Sequence, residues 1–340
     1  MRALVITRTG GPEVLQVQER PDPRLGPGEA LVRVRAAGIN FADTMARAGI
    51  YPDAPKLPCV VGYEIAGEVE RVADGVEGLA PGDRVLGGTR FGGYAELVAT
   101  PAHALVPLPE GWSFEEGAAF PVNYATAYAG LCRYGALHGD ERVLIHAAAG
   151  GVGVAATQIA GLIGAEVFGT ASPAKHDAIR GFGVDHAIDY RSEDFVAAAR
   201  RIAGAKQPLD LVMDAIGGLN LWRSYSLLRP GGRLVAYGVS TAMKDGRRNL
   251  PGMLRMALGT PISSALPLMS SSKALIGLNM LRLWDSKGSL AEFVDPLREW
   301  VEQGRLRPVI ATTFPLERGG DAHRYLGERR NVGKVVLTLD

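Results

Sequence analysis

Cysteine is scarce in this sequence: Cys59 and Cys132 are the only two, too few for a disulfide framework or a structural metal cluster, and they suit a reducing compartment. Each reads as a small buried hydrophobe rather than a nucleophile. An excess of charge is also lacking. With 37 basic and 36 acidic residues the formal charge is +1, which offers no electrostatic footprint for nucleic acid or an anionic membrane and leaves a small molecule as the expected partner. Long apolar runs are missing too. The most apolar late stretch, residues 253–280, is interrupted by Pro261, Pro267, the loop-like serines Ser270, Ser271 and Ser272, and Lys273, so no membrane span is expected, although the stretch suits a pocket cover or a membrane-resting surface. The opening MRALVITRTGGPEV alternates like a strand and lacks the apolar core and cleavage site of a signal peptide, so a cytoplasmic location is expected. No G-x-S-x-G elbow is present, and the six histidines form no ligand-spaced pair, which argues against a serine hydrolase and against a metal site.

What is present suits a two-domain enzyme. A chain of 340 residues exceeds the size at which one hydrophobic core keeps growing. Up to residue 122 it reads as short strands (ALVRVRAAGI, YEIAGEVERV, DRVLGG, YAELVAT) broken by Gly, Pro and Asp. Over residues 123–290 strands alternate with helical stretches: RVLIHAA, a helix through 154–163, AEVFGTA, a helix near 175–181, HAIDY, LDLVMDAI and GRLVAYGV. This alternation predicts an α/β protein with a Rossmann doubly wound parallel sheet. The tail, residues 291–340, holds much of an amphipathic helix predicted over 289–303 and then PVIATTFPL and GKVVLTLD, strands that must join the first domain's sheet. The dinucleotide domain is therefore inserted in a β-rich one.

The strongest local signal is RVLIHAAAGGVGVAATQIAGLIG, residues 142–164. A buried strand meets a glycine turn from which a helix starts at once, so bare backbone and exposed N–H groups can receive a pyrophosphate. Ala148 stands where the first glycine of G-x-G-x-x-G belongs; Gly150 and Gly153 fill the other two places, with Gly151 and Val152 between. At the end of the next strand Thr170, Ala171 and Ser172 replace the acid that holds a ribose hydroxyl in NAD sites. Ser172 can hydrogen-bond a 2′-phosphate and Lys175 can approach it as a point charge, unless that lysine is simply a solvated helix residue; NADPH is the expected cofactor. His146 beside the turn reads as a satisfied strand-end residue.

The segments GINFADTMARAGIYP, VGYEIAGEVE, PGDRVLGG, GGYAELV, AAAGGVG and NVGKVVL, in this order over essentially the whole chain, resemble the medium-chain dehydrogenase/reductase superfamily and, within it, the quinone oxidoreductases. PVNYATAYAGL, GTASPAKH and RRNL are similar to the vesicle amine transport protein branch. The resemblance implies that the first domain is a GroES-like catalytic domain. Zinc-dependent relatives carry Cys and His where this chain has Asn40 and Tyr63, so carbonyl polarisation falls to hydrogen bonds, which suits an easily reduced acceptor. Residues matching Asn40, Asp43 and Tyr51 line the family's substrate and nicotinamide pocket, and Thr126 lies near the nicotinamide ring. Asn40 can donate to a substrate oxygen or serve as a turn residue; Asp43 suits loop stabilisation or a helix start better than proton transfer. Met45 stands where several members have tyrosine, giving a more apolar pocket. Tyr190 matches a tyrosine beside the adenosine phosphate, and Arg329, or Arg330 in the other register, aligns with an arginine at the 2′-phosphate.

The expected function is hydride transfer from NADPH, in a cleft between the domains, to a quinone or other α,β-unsaturated carbonyl compound, without zinc. Reduction of a carbon–carbon double bond is a variant of that reading. The rival is an NADPH-binding, lipid- or membrane-associated protein with little or no turnover. The resemblance also implies a homodimer joined through the nucleotide domains, with ALIGLNML as the joining strand.

Overall fold

Apolar runs such as LDLVMD have no polar face to offer water, so they belong inside a sheet covered on both sides. The computed structural model describes residues 1–260 and 264–340. In it the strands Arg142–Ile145, Glu166–Ala171, His186–Asp189, Leu209–Asp214, Leu228–Ala236 and Ala274–Gly277 form one six-stranded sheet. Every pairing is parallel. Numbered in chain order the strands lie 3-2-1-4-5-6, the doubly wound arrangement. Leu209–Asp214 is buried at every position. Leu144, Phe168, Ile188, Phe195, Val212 and Leu234 share one core cluster under the helices. Helix Gly151–Ile163 follows the first strand and stops at Gly164, whose φ of 92° is a left-handed cap that glycine adopts without strain.

The second sheet is mostly antiparallel and seven-stranded, with Ile310–Pro315, Lys334–Thr338, Glu29–Ile39, Glu64–Val72, Arg84–Gly88 and Leu105–Pro107 in that order and Leu97–Pro101 also on Glu29–Ile39. The long strand Glu29–Ile39 bonds Leu97–Pro101 along its first half and Lys334–Thr338 along its second. The tail thus completes the sheet of the first domain.

The chain divides into two compact units, one of Met1–Ala125, Lys244–Arg248 and Met280–Asp340, the other of Thr126–Met243 and Asn249–Asn279. The strand–helix alternation predicts the inserted domain over residues 123–290. Helix Met280–Lys287 instead joins the first unit, because Arg282 pairs with Asp53, Asp285 pairs with Arg90 at 2.7 Å, and Trp284 lies where any side chain on Gly88 would collide with it. The helix expected over 289–303 is broken into Ala291–Val294, a tight turn Asp295–Leu297 and Arg298–Glu302; Pro296 has no N–H to continue the ladder. Ser270 and Ser271 are helical, within Ala265–Ser271, rather than loop. ALIGLNML is a strand only over Ala274–Gly277. Pro261 lies outside the described residues, as do Ile262 and Ser263.

Candidate active site

Strand Glu29–Ile39 runs into Asn40, whose extended backbone turns the chain into helix Phe41–Arg47. Asp43, one turn in, holds that corner together. Its carboxylate accepts from the Asn40 N–H at 2.7 Å, the Tyr94 hydroxyl at 2.7 Å and the Gly62 N–H at 3.2 Å. Complete burial pushes the Asp43 carboxyl up to about 7, against the pull of these donors and of Lys334. Asp43 is thus a clasp for the loop and the helix start.

The Asn40 side chain, 9% exposed, sits in a buried charged network. Its Nδ2 donates to Glu64 Oε1 at 2.9 Å, and its Oδ1 accepts from Lys334 Nζ at 2.7 Å. Lys334 also pairs with the Glu64 carboxylate and reaches Asn123 Oδ1 at 3.4 Å, while Glu64 Oε2 accepts the Val122 N–H at 2.7 Å. A carboxylate cannot donate and an ammonium cannot accept, so these partners dictate which way the Asn40 amide faces. One of its two N–H groups goes to Glu64; the other has no partner among the described residues. Sequence reasoning missed Glu64 and Lys334 as site residues. Their signal was a charge opening each of two otherwise apolar strand segments, EIAG and KVVL.

Aromatic rings stand nearby. Tyr51 meets Tyr63 edge-on at 6.4 Å between centroids, and Tyr63 meets Phe91 at 5.4 Å. Burial, then the neighbouring Asp53 charge, pushes the Tyr51 phenol up to about 12. Met45 is buried in the same helix as Asp43. Among the described residues no group of three or more His, Cys, Asp and Glu side chains can hold a metal ion.

In the second unit, Gly150 precedes helix Gly151–Ile163 without a side-chain cap, so the first-turn N–H groups of Gly151, Val152 and Gly153 carry no capping side chain. A Cβ on Gly153 would lie 2.3 Å from the Ala147 carbonyl oxygen, so only bare backbone fits. The left-handed residue of the turn is Ala147, at φ 54°, one place before Ala148. Ala148 therefore needs no glycine; it is fully buried and its N–H bonds Thr170 O at 3.1 Å. His146 bridges Thr170 Oγ1 at 3.1 Å and Ser224 Oγ at 3.0 Å, and burial lowers its affinity for a proton.

Ala171 and Asp189 are register partners on adjacent parallel strands. Ser172 and Tyr190 directly follow them, so the two leave the same end of the sheet side by side, with Lys175 in the turn after Ser172. Tyr190 is exposed. Thr126 is buried on helix Pro121–Tyr128. Arg329 belongs to the first unit, exposed after helix Gly319–Gly327 with φ 56°. Arg330 is committed locally, stacked 4.7 Å over Tyr325 and 3.6 Å from Glu328.

Residues 26–110 match the profile of the alcohol dehydrogenase GroES-like domain and residues 182–337 that of a zinc-binding dehydrogenase. The synaptic vesicle membrane protein VAT-1 homolog of Rattus norvegicus is 39% identical over 340 residues, which cover 99% of this chain and 84% of that relative. The crystal structure of the human VAT-1 homolog-like protein superposes with a TM-score of 0.86 at 32% identity, covering 100% of this chain and 98% of that one. Escherichia coli quinone oxidoreductase complexed with NADPH gives a TM-score of 0.86 at 30% identity, with both chains covered in full. A parallel sheet with a glycine turn, inserted in a GroES-like unit and matched end to end by these proteins, identifies the chain as a member of the medium-chain dehydrogenase/reductase family, near its VAT-1 branch.

Proposed function

We propose that this oxidoreductase is NADPH-dependent and zinc-independent, and that it reduces a quinone or other α,β-unsaturated carbonyl compound. The observation that carries the reading is the Asn40 amide, held between Lys334 and Glu64 with one N–H left to donate to a carbonyl oxygen. When bound, NADPH supplies the hydride, and a proton from solvent completes the two-electron reduction. Asn40 draws charge onto the acceptor oxygen; Tyr51 supplies an aromatic wall; Thr126 borders the nicotinamide. The uncapped turn of Ala148, Gly150, Gly151, Val152 and Gly153 receives the pyrophosphate, and Ser172, Lys175 and Tyr190 bind the adenosine 2′-phosphate. The absence of an acid at the end of strand Glu166–Ala171 supports NADPH over NADH. An ammonium contacts both Asn40 and Glu64, an arrangement that suits a metal-free site. The test is NADPH oxidation followed by absorbance across a panel of quinones and enones, with NADH and a chelator as parallel arms. Chelator-resistant turnover that prefers NADPH is expected; turnover abolished by chelation refutes the metal-free site.

One feature favours a second reading, an NADPH-binding protein on a lipid surface with little or no turnover. Leu250, Leu254 and Leu258 recur every fourth residue on helix Leu250–Gly259 and are 62% to 80% exposed, and Leu266 and Met269 are exposed on the next helix. Residues 249–279 contain Arg255 and Lys273 and no acid. The VAT-1 relatives are named as vesicle membrane proteins. Co-sedimentation with phosphatidylserine-containing liposomes, lost when Leu258 and Leu266 become Ser, supports this reading; no sedimentation of the unaltered protein removes it. The homodimer is proposed through Ala274–Gly277, the outermost strand of the six-stranded sheet; a monomeric mass in light scattering at micromolar concentration refutes it.

A further inference from the structure

We infer that the Tyr63 hydroxyl is a second hydrogen-bond donor to the ligand of this site, and that the Tyr51, Tyr63 and Phe91 rings receive a planar conjugated ring bearing two oxygens, a quinone in preference to an open-chain enal. The inference rests on the reductase reading and narrows its substrate class.

Tyr63 is 8% exposed, and its hydroxyl is buried with no hydrogen-bond partner among the described residues. A buried phenol is normally satisfied, because leaving it unpaired is costly. The carboxylates beside it are engaged by other donors. The Asp43 carboxylate already holds three donors, one of them the hydroxyl of another buried tyrosine, Tyr94. Glu64, the next residue in the chain, holds Asn40 Nδ2, Lys334 Nζ and the Val122 N–H. The Tyr63 donor is therefore unused by the fold, one residue away from the carboxylate that orients the Asn40 amide.

The surroundings select for a flat ring. Tyr51 stands at 73° and Phe91 at 52° to the Tyr63 ring, so the three form an angled wall rather than a filled stack. Its edges are tied down: Asp53, two residues after Tyr51, pairs with Arg282, and Arg90, over the Phe91 ring at 5.2 Å, pairs with Asp285. Both ties run to helix Met280–Lys287. A wall held in this way is shape-selective, and two donors, Asn40 and Tyr63, match two ring oxygens where an enal has one.

The experiment compares the full-length protein with Tyr63→Phe, which removes only the oxygen. Equilibrium dialysis gives Kd for phenanthrenequinone, and NADPH oxidation gives KM and kcat for phenanthrenequinone and for cyclohexenone, which has one oxygen. The expected result is a rise of roughly tenfold in Kd and KM for the quinone, the size of one well-made hydrogen bond, with kcat and the cyclohexenone KM unchanged and the melting temperature no lower. An unchanged quinone Kd overturns the inference, as does no quinone binding by the unaltered protein, or an equal loss for both acceptors, which would put the hydroxyl on the reacting carbonyl alone. If the quinone binds, the variant binds it more weakly and NADPH is never oxidised, the reductase reading falls while the Tyr63 assignment stands. If both acceptors are turned over with parameters untouched by the substitution, the reductase reading stands and the Tyr63 assignment falls.

Discussion

Replacing Lys334 with Met tests the centre of the site. The substitution keeps the length and apolar stem of the side chain and removes the ammonium, leaving Glu64, with a side chain 0% exposed, as a buried carboxylate without its counter-charge. Breaking a buried pair by deleting one partner costs about 3–5 kcal/mol, because the remaining ion has neither water nor partner. Glu64 keeps its bonds from Asn40 and Val122, which favours the lower end of that range. With a urea dependence of about 2 kcal/mol per molar, the unfolding midpoint of the first unit falls by roughly 1.5–2.5 M. Tryptophan fluorescence is the assay, since Trp112, Trp284 and Trp300 lie in that unit and only Trp222 in the other. Adding Glu64→Gln to Lys334→Met removes both charges and is expected to recover more than half of the loss. Two results refute the reasoning: a single variant within about 1 kcal/mol of the unaltered protein, or a double variant no more stable than the single one.

Three further outcomes follow from the same geometry. Gly153→Ala should abolish nucleotide binding measured by calorimetry, because its Cβ would sit 2.3 Å from the Ala147 oxygen; retained affinity shows that the turn can shift. Lys175→Ala should weaken NADPH and leave NADH unaffected, and equal affinities in variant and parent refute the phosphate assignment. Asp43 and His323 set opposing pH slopes. The Asp43 value rises on folding from 3.8 to about 7, so its stabilising contribution is complete below 3.8 and is lost as pH rises toward 7. Burial lowers His323 from 6.5 to about 3, so its contribution is complete above 6.5 and is lost as pH falls toward 3. Asp43→Asn should therefore leave a melting temperature that climbs between pH 4 and 6.5 more steeply than in the unaltered protein, and parallel profiles contradict this.

Much of the fold was legible because its signals are local. The strand–turn–helix of residues 142–164 and the apolar runs of the parallel sheet are written in consecutive residues, and the structure realises them as Arg142–Ile145, Gly151–Ile163 and the strands that follow. What escaped depends on partners distant in the chain. The sequence shows a Lys opening KVVL and a Glu opening EIAG, but only the antiparallel pairing of Glu29–Ile39 with both of their strands brings the two charges to Asn40. Helix Met280–Lys287 continues an apolar stretch that reads as part of the inserted domain; two surface ion pairs and the seat of Trp284 at Gly88 assign it to the first. Pro296 was visible, but the helical periodicity on either side of it concealed the break.

The tail strand has a consequence for synthesis. Lys334 follows Glu64 by 270 residues, and the whole inserted unit is made between them. At roughly 5–20 residues per second, the nascent chain waits on the order of fifteen seconds to a minute between exposing that carboxylate and producing the ammonium that neutralises it. The seven-stranded sheet cannot close during this interval, because Lys334–Thr338 is one of its inner strands. The parallel sheet, encoded in one continuous stretch apart from a five-residue excursion at Lys244–Arg248, is complete by then, so on the ribosome the nucleotide-type unit is the first to mature and the unit that carries Asn40 is the last.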